Sequence, residues 1–109
     1  MIARLWHGRI RRSDTQAYVK YISETGLRDY AQTPGNLGAQ MLVDDAREEG
    51  VSHVITMSWW ESSDAIRAFA GDDIGQARYY PEDERYLLEF EPHVRHYAVR
   101  ASLSQGVTP

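Results

Sequence analysis

The chain has no cysteine, only two phenylalanines and four prolines, and no apolar run approaching the roughly 20 residues that cross a bilayer as a helix. Without cysteine, disulfides, zinc fingers and thiol catalysis are all excluded. A basic stripe is also missing. Twelve Lys and Arg are scattered among sixteen Asp and Glu, for a net charge of −4, so nothing matches the cationic surface that phosphate backbones require, and nucleic acid is not an expected partner. The opening MIARLWHGRIRR lacks the ordered charged, apolar and small-residue regions of a signal peptide, which leads to the expectation of a cytoplasmic protein with no membrane partner. Gly35, Gly38, Gly71 and Gly75 fit no phosphate-binding loop, and no serine sits in a nucleophile elbow.

What is present is a chain of 109 residues, 42% hydrophobic, close to the commonest domain size. We expect one domain over 1–101 and a flexible tail over 102–109. A core this small leaves much surface exposed, so burial against a second copy is a natural source of stability.

Residues 2–11 place Ile2, Leu5, Trp6 and Ile10 in a loose alternation that suits a strand. Ser13 and Gln16 have capping-box spacing, and Ala17, Tyr18, Tyr21 and Ile22 follow at helical intervals, predicting a helix over about 14–25 that 27–32 extends by a turn. Thr33-Pro-Gly-Asn reads as loop. Two strands joined by the polar Arg47-Glu-Glu-Gly turn come next, the second being VSHVITMSWW. Ser62 or Ser63 then caps a short helix that Gly71 stops. Pro81 suits the first position of a further short helix, with Glu82, Asp83 and Glu84 favoured by its dipole and Tyr86, Leu87 and Phe90 on its buried side. A last strand begins at Val94.

The order β-α-β-β-α-β predicts an α+β, ferredoxin-like fold with a four-stranded antiparallel sheet and both helices on one face. In the third strand Ile55, Met57 and Trp59 point one way and Val54 and Trp60 the other, so both sheet faces carry large apolar groups. Helices cover one face; a partner sheet in a homodimer is the simplest cover for the other.

Residues 57–71, MSWWESSDAIRAFAG, followed by 77–99, ARYYPEDERYLLEFEPHVRHYAV, together with the RLWHGR opening and TPGN, resemble the antibiotic biosynthesis monooxygenase (ABM) superfamily. The resemblance implies a dimeric α+β barrel, with a pocket between sheet and helices in each protomer. It also implies one of several roles: oxidation of a polycyclic phenol without metal or flavin, haem degradation, or an unassigned function. The haem-degrading relatives use a histidine after the second helix, and DDIGQARYYPED has none, which counts against haem.

In this frame Trp60 matches a pocket tryptophan, able to stack on a flat substrate or donate its N–H; the competing reading is core packing. Trp59 faces the opposite way and suits core or interface. His7 is the candidate base that takes a phenol proton, against an ordinary role as a hydrogen-bonded strand histidine. Tyr79 and Tyr80 are candidate substrate contacts, otherwise simply covering the core, and Arg78 is a candidate partner for a phenolate or peroxide, otherwise solvated. His93 and His96 are three apart and point to opposite faces of a strand, and His53 is expected near the surface, so no metal site is expected. The acids of PEDE are assigned to starting a helix and not to catalysis. The leading reading is a cofactor-independent monooxygenase acting on an aromatic or polyketide-like molecule; the alternatives are a non-catalytic dimeric binding protein and, more remotely, a haem-binding relative.

Overall fold

The computed structural model describes residues 1–103; the remainder of the expected tail, 104–109, lies outside the described residues. Seven elements follow in order: β1 (Ile2–Arg11), α1 (Thr15–Glu24), α2 (Gly26–Gln32), β2 (Asn36–Glu48), β3 (Val51–Trp60), α3 (Ser63–Ala70) and β4 (Arg95–Ala98). The sheet runs β2-β3-β1-β4 with every pair antiparallel. That is the split-βαβ order predicted from the element sequence.

Period-two alternation divides the sheet into two faces. The even residues of β1, including Arg4, Trp6 and Ile10, share a face with Val54, Thr56, Ser58 and Trp60 of β3; the helices cover it. Two clusters form the core there. One joins Ile10, Tyr18, Ile22, Val54 and Leu87; the other joins Tyr30, Trp60, Ile66 and Phe69. Burial of each large side chain contributes about 1.5–3 kcal/mol before the entropy of ordering is counted. The opposite face carries Ala3, Leu5, His7, Ile55, Met57, Trp59, Leu42 and Tyr97, and among the described residues no helix covers it.

Helix α3 begins and ends as predicted: the Ser62 hydroxyl accepts from Ala65 N–H at 3.2 Å, and Gly71 stops the helix at φ +92°. The Ser13 capping box does not form. Asp14 occupies the cap position of α1 without a side-chain bond, because Arg12–Asp14 first close a 3₁₀ turn and Thr15 spends its hydroxyl on Arg12 C=O and Ser52.

The larger correction concerns the helix expected after Pro81. Tyr80 to Asp83 close a turn with Pro81 at its second position, through Asp83 N–H to Tyr80 C=O at 3.0 Å. Only a single 3₁₀ turn, Asp83–Arg85, follows. The chain is then drawn to the free edge of β1, where Leu87 bridges Ile10 and Leu88 N–H bonds Arg9 C=O at 2.9 Å. Unpaired strand groups outcompete a helix here. Leu87 is buried as expected, but Phe90 is 48% exposed.

Candidate functional site

Between α3 and β4 the chain crosses the helix-covered face through residues 71–94 with little regular structure. Segments of that length in a small domain are commonly lids or binding loops. Its course is fixed by specific contacts. Arg4, 2% exposed, reaches up from β1 and donates through Nη1 to Ile74 C=O at 2.6 Å and through Nη2 to Gln76 C=O at 3.1 Å. His96, pushed down by burial and by the Arg4 charge, is neutral and accepts from Arg4 Nη1 at 3.0 Å. Further along, Arg78 donates to Phe69 C=O at 2.9 Å and lies over the Phe69 ring, 4.7 Å from its centroid. The Tyr80 hydroxyl donates to Asp29 of α2 at 2.6 Å.

Beneath this segment, where the two core clusters meet, is a cavity of about 40 Å³. Arg4, Trp6 and Thr56 contribute from the sheet, Tyr18, Tyr30 and Phe69 from the helices, and Arg78, Tyr79, Tyr80 and Asp83 from the crossing segment. Benzene occupies an engineered cavity of about 150 Å³, so this space accepts water but no aromatic ring until the crossing segment moves outward.

The three residues predicted at the pocket from the RYY stretch therefore converge on one cavity. The two tyrosine hydroxyls are donors, to Glu91 C=O from Tyr79 and to Asp29 from Tyr80. Burial raises the Tyr79, Tyr80 and Tyr18 phenols, and hydrogen bonding to Asp29 adds to the effect at Tyr80, so all stay protonated at neutral pH. Tyr79 accepts from Trp6 Nε1 at 3.2 Å and donates to Glu91 C=O.

Trp60 and His7 are placed elsewhere. Trp60 is on the same sheet face but wholly buried in the core cluster with Tyr30 and Phe69, and its indole N–H is satisfied by Ser58 Oγ at 2.9 Å. His7 lies on the uncovered face. There its Nε2 is 2.9 Å from His53 Nδ1, and His53 Nε2 is 3.0 Å from Glu48 Oε1. His53, expected near the surface, is buried against these two partners. His93 and His96 do separate to opposite sides: His93 lines a groove on the uncovered face with His7, while His96 meets Arg4. Among the described residues no three His, Asp or Glu side chains converge as a metal site.

Two cavity residues were not anticipated. Asp83 is 3% exposed; its Oδ2 accepts from Tyr80 N–H at 2.5 Å, while Oδ1 is buried with no hydrogen-bond partner. Desolvation raises its carboxyl above the usual range, and the Tyr80 N–H only partly opposes this. The signal for it was the Pro turn, whose fourth residue reaches back to the first as in a capping box. Arg4 was legible as a lone cation at an inward position of an alternating strand. Burial lowers its pKa, and among the described residues no carboxylate forms an ion pair with it.

No protein-family model matches the chain, and no curated protein matches it. Solved structures do. A putative antibiotic biosynthesis monooxygenase from Bacillus cereus superposes with a TM-score of 0.63 at 17% identity, over 95% of this chain and 97% of that one. Another from Nitrosomonas europaea gives 0.64 at 13% identity, over 93% and 100%. The haem-degrader MhuD from Mycobacterium tuberculosis, with two haems bound in its active site, gives 0.58 at 15% identity, over 95% and 100%. Together with the β2-β3-β1-β4 order, these superpositions establish that the chain has the ferredoxin-like fold of the antibiotic biosynthesis monooxygenases.

Proposed function

We propose that the chain is a cofactor-independent monooxygenase acting on a small aromatic or polyketide-like molecule in the cavity beneath residues 71–94, enlarged by outward movement of that segment. The observation that carries this reading is Asp83, a buried carboxylate with one oxygen unpartnered, set among aromatic walls and two guanidinium groups. A buried polar group without a partner costs stability, and such groups concentrate where chemistry needs them.

Asp83 takes a proton from an acidic C–H or O–H of the substrate. Arg4 and Arg78 hold the resulting anionic oxygen, and the Tyr79 and Tyr80 rings cover the face of the substrate. Trp60 supports the cavity from behind Tyr30 and Phe69 and does not touch the substrate. The carbanion then supplies electrons to dioxygen: a ring CH₂ and O₂ give C=O and water, one oxygen atom entering the carbon and the other leaving as water. Haem suits the cavity poorly, because among the described residues no histidine lines it to bind the iron.

Sheet-to-sheet pairing with a second copy accompanies this reading. The uncovered face presents Leu42 and Tyr97 as exposed apolar groups beside Leu5, Ile55, Met57 and Trp59. A contiguous apolar surface of this kind is characteristic of an interface.

Oxygen uptake by the purified protein with a panel of anthrones and hydroquinones tests the proposal. One O₂ consumed per quinone formed, with no dependence on added flavin or haem, is expected. Saturable binding of the panel without oxygen uptake would convert the reading to a carrier or sensor.

A further inference from the structure

Two arginines line the inner cavity, and they differ in what balances their charge. Arg78 Nη2 lies 3.4 Å from Asp29 Oδ2 in a partly exposed ion pair. Arg4 is 2% exposed, and among the described residues no carboxylate pairs with it. The acceptors it meets are neutral: Ile74 C=O at 2.6 Å, the His96 ring at 3.0 Å and Gln76 C=O at 3.1 Å. We propose that the ligand supplies the balancing charge: the inner cavity takes a small aromatic acid that arrives already ionised, and its carboxylate seats on Arg4. This narrows the substrate class of the proposed function and rests on that reading of the cavity.

The donor count of the guanidinium supports this assignment. Its three acceptors take both hydrogens of Nη1 and one of Nη2, which leaves Nε–H and the second Nη2–H. A carboxylate accepts from a guanidinium through paired, charge-assisted bonds, stronger than those a neutral amide or phenol makes with the same hydrogens. Burying an unbalanced cation is costly, so a ligand that brings the counter-charge gains where its neutral analogue does not. Asp83, across the cavity, does not fill that role. Desolvation raises its carboxyl with only the Tyr80 N–H opposing, and desolvation lowers Arg4 with the Tyr30 hydroxyl opposing, so neither charge acts on the other. The rest of the ligand is set by the walls, since Trp6, Tyr18, Tyr30 and Phe69 are all aromatic.

Arg4 also keeps its place when the crossing segment opens. Its carbonyl partners Ile74 and Gln76 belong to a stretch pinned to the run before β4: Gln76 bridges His93, Ala77 N–H bonds Pro92 C=O at 2.9 Å, and Val94 N–H bonds Gly75 C=O at 2.9 Å. Residues 78–82 are held to the helices by contacts of another kind. Arg78 donates to Phe69 C=O, the Tyr80 hydroxyl to Asp29, and Glu82 N–H to the Tyr21 hydroxyl at 3.2 Å. Outward movement therefore begins at 78–82 and opens the cavity toward a cation still fixed by its own three acceptors. Arg4 binds the incoming carboxylate, and Arg78 shares with it the oxygen charge that develops in the reaction.

The test compares 2-naphthoate with 2-naphthamide at neutral pH, probes that share ring and size and differ in charge. Each is titrated into the full chain by calorimetry, with the Arg4 Nε–H signal followed by ¹H–¹⁵N NMR. The wild type is expected to bind the acid at least about tenfold more tightly, and only the acid to shift the Arg4 signal. Arg4→Gln is expected to lose that preference, and Arg78→Gln to keep most of it. Should Arg4→Gln fail to fold, Arg4→Lys decides: the preference is expected to persist but fall, because an ammonium cannot make the paired bonds. Equal affinities for acid and amide, no binding of the acid, or an undiminished preference in the Arg4 variant would each overturn the proposal. A preference lost in Arg78→Gln and kept in Arg4→Gln would seat the carboxylate on Arg78, which also overturns it. Acid bound at Arg4 without oxygen uptake from any hydroxylated aromatic acid would remove the monooxygenase reading and leave the anion site standing. Oxygen uptake from neutral anthrones with no preference for the acid would do the reverse.

Discussion

Trp6 lies over Gly8. A methyl carbon at position 8 would sit 2.7 Å from Cζ2 of the indole and closer still to Cη2, so the strand leaves position 8 bare for the ring that turns to meet Tyr79. The glycine thereby controls a wall of the inner cavity. Gly8→Ala is expected to displace Trp6, break its bond to the Tyr79 hydroxyl and cost about 1–3 kcal/mol as overpacking. The denaturation midpoint and tryptophan fluorescence would register this together; a variant with unaltered fluorescence and stability would contradict the packing described.

Trp60 bears on the separation of core from site. Because the ring is fully buried and its N–H is already spent on Ser58, Trp60→Ala is expected to cost about 3–5 kcal/mol of stability. Any activity lost should follow the folded fraction. A well-folded variant with a selective loss of kcat would instead place Trp60 against the substrate.

Asp83 should leave its mark on stability as a function of pH. Its folded-state pKa is raised by burial, so the native state keeps a proton that the unfolded chain releases. Stability is therefore expected to fall as pH rises from the unfolded carboxyl value of about 3.9 through the higher folded value. Asp83→Asn should remove that slope and match or exceed the wild type in stability at neutral pH. Oxygen uptake by the same variant should fall about 10²–10⁴-fold, the usual contribution of a positioned base. An undiminished rate would remove Asp83 from the mechanism.

Leu42 is exposed on the uncovered face and tests the homodimer. Leu42→Lys would put an unpaired charge into a sheet-to-sheet interface, so dimer dissociation in sedimentation equilibrium is expected to rise at least about tenfold. The monomer itself should keep its melting temperature, since Leu42 contributes to neither core cluster. Wild-type protein that is monomeric throughout would rule out the partner.

Much of the fold was legible in local pattern. The alternation of β1 and β3, the Ser62 cap and the Gly71 stop each follow from one or two residues whose backbone preference has no strong competitor. Tyr79, Tyr80 and Arg78, read from the sequence as candidate substrate contacts, all line the inner cavity, where an aromatic-rich stretch just before a Pro turn buries its rings. The helix after Pro81 failed for a nonlocal reason: the free edge of β1 offers hydrogen bonds that no local propensity anticipates.

The sequence by itself determined the main strands and the helices before residue 71, and which side of β1 and β3 each side chain takes, because those depend on periodicity and on single capping residues. Only the tertiary structure decided which groups share a space. His7 and Asp83 show why: strand parity puts His7 on the face away from Tyr79, and a turn closed by pairing with β1 carries Asp83 from a helix end into the core. Proximity between residues far apart in the chain, and the desolvation it brings, exist only once the sheet and its covering segment have closed together.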